Sequence, residues 1–200
     1  MIRSARLYAP LLLVCACAAF GQVIEFDSKG LHYQTLTKNG VTVMYAPLAN
    51  HVRSYSVIQV AVSNGGQGPY VIRPEDFTFE RTGGVALRGV PARQVVSMLI
   101  EKGGRNDVIK LVSTYENALY GITNMRMTNG YESRRQAALA ATTVKLKAAA
   151  AASAIAMVQT RLSPGESADG AIFFATDGKP LGAGRLIVRT NTDVFSFNPE

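Results

Sequence analysis

Two histidines, His32 and His51, are the side chains of this 200-residue chain whose charge normally changes near neutral pH. Neither has a second histidine at the HExxH or HxH spacing, so no zinc ligand set is visible. His32 falls in an expected strand and His51 in the loop before the next one. The acids are scattered. Glu75-Asp76 precede a strand, Glu166 and Asp169 lie around a turn, and no Asp-rich calcium loop occurs. GxSxG and SxxK, the common serine-nucleophile motifs, are missing. Gly65, Gly66 and Gly68 are not followed by the Lys-Ser/Thr of a phosphate-binding loop and read as a turn. No catalytic residue, metal ligand or cofactor is therefore assigned. Carboxylates that hydrolyse glycosides can come from distant positions. A hydrolase of envelope glycans or peptides thus stands as the alternative to a non-enzymatic function.

The two cysteines, Cys15 and Cys17, belong to an N-terminal segment with the pattern of a secretory signal peptide. Arg3 and Arg6 form its basic start, Leu7 to Ala19 its apolar stretch, and Ala19 and Gly21 suit cleavage before Gln22. That makes residues 1–21 a leader and 22–200 one domain, exported to the periplasm or the cell exterior. Cys17 after Val14-Cys15-Ala16 is the competing lipoprotein reading, with a lipid anchor at Cys17. Cleavage before Gln22 leaves no cysteine, and hence no disulfide, thiol nucleophile or thiolate metal site. The hydrophobic core alone must then hold about 180 residues, a suitable size for one domain. Removing Arg3 and Arg6 from 21 basic residues against 14 acids leaves a net charge of +5. That suits a solvated surface. The chain lacks tryptophan and any interleaving of aromatic with basic residues, which argues against a nucleic-acid partner.

The elements that must position any site divide into strands, then helices, then strands. Asn39-Gly40 between Leu31–Thr37 and Val41–Tyr45 predicts a hairpin, with Pro47 ending its second strand. Residues 53–63 predict a central strand, with Ile58, Val60 and Val62 on one face and Tyr55, Val57, Gln59 and Ala61 on the other. Short strands follow at Tyr70–Ile72, Asp76–Arg81 and Val85–Arg88. Pro91 and the spacing of Val95, Met98 and Leu99 predict a helix over Ala92–Lys102, stopped by Gly103-Gly104. A second helix has Asn106 as its N-cap and Val108, Leu111, Val112, Tyr115 and Leu119 as its stripe, with Gly121 just past its end. Strands return at Ala171–Thr176, Arg185–Arg189 and Val194–Phe197.

Between them lies an alanine-rich run, read as one long helix from about Tyr131 to the residues before Pro164, because alanine tops the helix scale. One seam passes through Val144, Ala148, Ala151, Ile155 and Val158, with Leu139, Leu146 and Met157 nearly opposite. The seam is the candidate interaction surface, either packed inside the chain or used for self-association. A transmembrane span is disfavoured, since Lys145 and Lys147 near a bilayer centre cost about 2.5–3.5 kcal/mol each on insertion scales.

Two segments, Ser54 to Phe79 and Leu162 to Phe174, resemble a broad group of bacterial exported proteins of unknown function with an immunoglobulin-like sandwich. The first runs strand, Asn-Gly turn, Pro-bounded short strand and aromatic strand. In the second a Pro-Gly-Glu turn leads through Gly170 into an apolar strand. The resemblance implies an extracellular binding or adhesion module and carries no functional residue. The Cys…Trp…Cys signature of true immunoglobulin domains is absent. The resulting expectation is an α+β fold, an immunoglobulin-like antiparallel β-sandwich with a helical insertion over about 90–162 that ends in the long Ala-rich helix. The expected function is that of an exported, non-enzymatic binding or structural module of the cell envelope, with a protein or envelope component as its partner.

Overall fold

In a computed structural model of the chain, residues 21–197 are described, apart from residue 29 and residues 120–130. Residues 1–20 of the expected leader, with Cys15 and Cys17, and the segment from Gly121 to Asn129 lie outside the described residues.

The Asn39-Gly40 hairpin forms as expected. Both turn residues are left-handed, with φ of 49° and 80°, which suits the tight turn between twisted strands. The turn joins β2 (Leu31–Lys38) to β3 (Val41–Val52), and β1 (Ile24–Ser28) adds outside β2. Pro47 does not end β3. It lies beyond the last β2–β3 pair, at a register shift between Pro47 and His51, where a missing N–H disturbs the ladder least. β4 (Tyr55–Asn64) is the expected central strand, buried along nearly its whole length and so more fully than the half-burial its pattern predicts. The short β5 (Tyr70–Ile72) is followed by a 3-10 turn at Pro74–Asp76, then β6 (Phe77–Arg81) and β7 (Ala86–Val90).

Among the described residues four helices come next: α1 (Ala92–Lys102), α2 (Arg105–Leu119), α3 (Tyr131–Leu139) and α4 (Val144–Ile155). The chain closes with β8 (Thr160–Leu162), β9 (Ser167–Ala175), β10 (Gly184–Arg189) and β11 (Val194–Phe197). The single Ala-rich helix is thus corrected to two, with an extended end. Thr143 stops helix propagation because its side chain caps a new helix, accepting the Leu146 N–H at 3.2 Å. Ala156 is extended, and its neighbour Met157 donates its N–H to the Ala171 carbonyl of β9. At α2 the cap also differs from the expected Asn106. The Asp107 carboxylate reaches back to the Gly104 N–H at 2.8 Å.

Nine strands form one mostly antiparallel sheet in the order β1-β2-β3-β4-β9-β7-β6-β10-β11, with β5 and β8 as a separate pair. β7 stitches its two halves, pairing with β6 through Ala86–Arg88 and with β9 through Gly89–Val90. A Cβ at Gly89 would fall 2.1 Å from the Pro74 carbonyl, so only glycine fits at this junction. The sheet curls into a half-barrel that brings β11 against β2 and β3. Lys38 Nζ donates to the Val194 carbonyl, Asn39 to Asp193, and the Tyr45 and Phe197 rings pack edge to face at 4.9 Å. The curl encloses one core containing Ile58, Phe77, Phe174, Leu186, Phe195 and Phe197. On its outer face α1, α2 and α4 cover a second core containing Val57, Phe173, Leu99, Leu111 and the alanines of α4.

The helices leave the sheet at Val90, which pairs with Phe173, and return at Ala156, which bridges Ala171. Both roots therefore rest on β9, two residues apart. Ala156 belongs to the outer core and Met157 to the inner one, so the chain passes beside β9 from one layer to the other. Gly170 permits the passage, because a Cβ there would lie 2.7 Å from the Met157 backbone.

Candidate functional site

The two histidines that stand alone in sequence line one cleft. His32 alternates with Leu31 and Tyr33 along β2, and His51 follows the β3 register shift. Between them opens a cleft of about 400 Å³ whose other walls include Leu48, Phe79, Pro180 and Leu181. The loop carrying Pro180 and Leu181 is tied down. Arg81 donates to both carbonyls, at 3.1 and 2.9 Å, and the buried Ser56 hydroxyl bonds Thr176 Oγ1 and the Lys179 carbonyl, each at 3.0 Å. The apolar walls are thus held in place by polar bonds behind them.

His32 marks the rim. Its Nδ1 lies 2.9 Å from Asp27 Oδ1 and its Nε2 3.4 Å from Glu25 Oε2, both on β1. The Asp27 hydrogen bond raises the His32 pKa above its ordinary value, with the Glu25 charge adding to the rise and burial opposing it. Outside the cleft, on the neighbouring β2–β3 pair, Tyr45 donates to Gln34 Oε1 at 2.8 Å. Burial, together with the charge of Glu25, pushes the Tyr45 phenol up to about 12.

His51 also lines a second cleft of about 410 Å³, and the rest of its wall is charged and polar: Arg53, Arg105, Asn106, Asp107 and Lys110. Arg53 is left-handed, with φ of 54°, at the turn from β3 to β4. That turn carries its guanidinium to α2, where Nε donates to Asp107 Oδ2 at 2.8 Å. Asp107 is buried, and the same oxygen accepts the Gly104 N–H. Its charge is thereby matched by Arg53 and the first turn of α2. Among the described residues no carboxylate pairs with Arg105 or Lys110.

The Ala-rich seam divides. Ala148, Ala151 and Ile155 are buried in the outer core against the sheet and α1. A Cβ at Gly103 would lie 3.1 Å from Ala148 Cβ, which shows how closely the end of α1 approaches. The middle of the seam is therefore covered by its own chain and is not open to a second copy. Val144 and Val158 are exposed, and Val158 lies beyond the end of α4. On the opposed line Leu146 is exposed and Met157 is buried in the inner core, while the Leu139 side chain lies outside the described residues.

Neither cleft was indicated by a motif. Arg105 and Lys110, five apart at the start of α2, were the one local sign of the charged cleft. Among the described residues no group of three metal-ligating side chains converges, and no helix is long and apolar enough to cross a membrane. Comparison with protein-family models, with curated proteins and with solved structures gives no match to this chain.

Proposed function

We propose that this protein is an exported binding or structural module of the cell envelope, periplasmic or extracellular, whose helical layer contacts a protein or another envelope component. The observation that carries this reading is the two-sidedness of that layer. Its inner faces are buried on the sheet, yet Ile100, Ile109, Val144 and Leu146 remain 45–54 % exposed. Lys145 Nζ donates to the Glu101 carbonyl at 2.8 Å, which joins the first turn of α4 to the end of α1 that carries Ile100. Exposed apolar side chains on α1, α2 and α4, whose other faces are buried against the sheet, suit docking. The Arg3/Arg6 start and the apolar stretch behind it support export, with a lipid anchor at Cys17 as the less favoured form. For the fold, an immunoglobulin-like sandwich is supported by two sheet halves that face each other across one core and join through β7.

The test is capture from an envelope extract by the native protein and by an Ile100→Asp/Leu146→Asp variant. Both positions are about half exposed, so the variant should keep its fold, which circular dichroism checks. A specific partner retained by the native protein and lost by the variant is expected. Identical capture by both sinks the reading. One observation favours the hydrolase alternative: Glu25 and Asp27 meet at His32 on the rim of the apolar cleft. Glycan or peptide cleavage that disappears in Asp27→Asn would establish it.

A further inference from the structure

We infer that the two clefts that share His51 as a lining residue form one binding site for a single-chain amphiphile with an anionic head. This goes beyond the docking face on the helices and uses different residues. The apolar cleft takes the hydrocarbon chain. Its volume of about 400 Å³ falls in the range of about 300–1,000 Å³ usual for ligand sites. Leu48, Phe79 and Leu181 supply apolar wall, and the Arg81 and Ser56 bonds fix the loop in advance, so little ordering is left to oppose binding.

The charged cleft takes the head. Arg53 is held by Asp107, and Asp107 is the one carboxylate in that wall. Arg105 and Lys110 remain as cations with no carboxylate against them among the described residues. They sit where a phosphate or carboxylate could accept several charge-assisted hydrogen bonds. The first turn of α2 does not by itself make the site, since Asp107 already takes the Gly104 N–H. The case rests on the two unmatched cations in a wall that shares His51 with an apolar cleft. A ligand that is apolar at one end and anionic at the other fits both walls. A purely apolar or purely ionic ligand fits only one.

The test compares octyl phosphate below its micelle concentration with octanol and with inorganic phosphate on the full-length chain. Joining two weak half-ligands makes the second contact intramolecular, so octyl phosphate should bind at least about tenfold tighter than either half. Arg105→Ala/Lys110→Ala should remove most of that gain and leave octanol binding unchanged. Both side chains lack a carboxylate partner among the described residues, so folding should survive, and circular dichroism checks it. The chain has only two histidines, so the imidazole signals of His32 and His51 report where the ligand sits. Octyl phosphate should shift both, and inorganic phosphate should shift His51 alone. The inference is overturned if octyl phosphate binds no tighter than octanol, if the double variant keeps the full gain, or if binding leaves His51 unmoved. An octanol-like affinity would leave an apolar cleft only, and a phosphate-like affinity a free-anion site only. Neither outcome bears on capture through Ile100 and Leu146, so the two readings fail separately.

Discussion

The two larger hydrophobic cores among the described residues are built from opposite materials. Inside the curled sheet, Phe77, Phe174, Phe195 and Phe197 are fully buried among branched aliphatics. On the outer face, seven alanines (Ala148, Ala149, Ala151, Ala152, Ala154, Ala156 and Ala171) fill much of the space between α4, α1 and the sheet. Large side chains remove more apolar surface from water per residue, so the inner core carries the greater share of stability per position. Alanine contributes little area but allows close approach, as the short reach from Gly103 to Ala148 shows. The inner core therefore stabilises the fold. The outer one sets how closely the helices lie, and so where their exposed apolar residues stand.

The largest test of this contrast is Phe174→Ala. Phe174 is fully buried and packs on Phe79 at 6.2 Å between ring centres. Truncation should cost about 3–5 kcal/mol, the usual range for a buried phenylalanine. Denaturant unfolding measures it, and a loss under about 1 kcal/mol would mean that the inner core is not the principal store of stability.

The next test is chemical. Tyr45 belongs to the inner core and holds its proton more tightly when folded, so ionisation favours the unfolded chain. Its contribution is complete below the unfolded value near pH 10 and is lost as the pH rises towards 12. A shift of that size corresponds to about 2–3 kcal/mol. Tyr45→Phe should flatten the decline between pH 10 and 12. Parallel declines in the native protein and the variant would show that other groups control alkaline unfolding.

The outer core is probed by crowding it. Ala152 is fully buried on the inward face of α4. Ala152→Leu should cost about 1–3 kcal/mol through overpacking. More tellingly, it should speed amide exchange in α1 and α4 while β4 and β9 stay protected, because helices pushed outward open locally. Uniform loss of protection across sheet and helices would erase the distinction between the cores.

Features that depend on a few adjacent residues were legible in the sequence. Asn39-Gly40 encodes its hairpin through backbone preference alone, and Ala92–Lys102 its helix through apolar spacing and the glycines after it. Val194–Phe197 and the alternation of β4 are of the same kind. Summed propensity misled over the Ala-rich run, because one Thr143 cap outweighs the alanines around it. β1 went unread, since Ile24 to Ser28 becomes a strand through pairing with β2 and Phe26 stacks on Tyr33 only once that pairing exists. Pro47 misled for the same reason, as its tolerance depends on where the neighbouring strand ends.

The candidate site was the least legible part. His32, His51, Phe79 and Leu181 come from four segments, and nothing in their spacing links them until the sheet curls. The sequence by itself determined the local elements, the basic balance and the run of strands, helices and strands, because these follow from propensity and periodicity over a few residues. The three-dimensional fold alone settled that one sheet curls over its own core, that the middle of the alanine seam turns inward, and that two solitary histidines share a cleft. Those outcomes depend on contacts between residues far apart in the chain, whose free energy no local pattern contains.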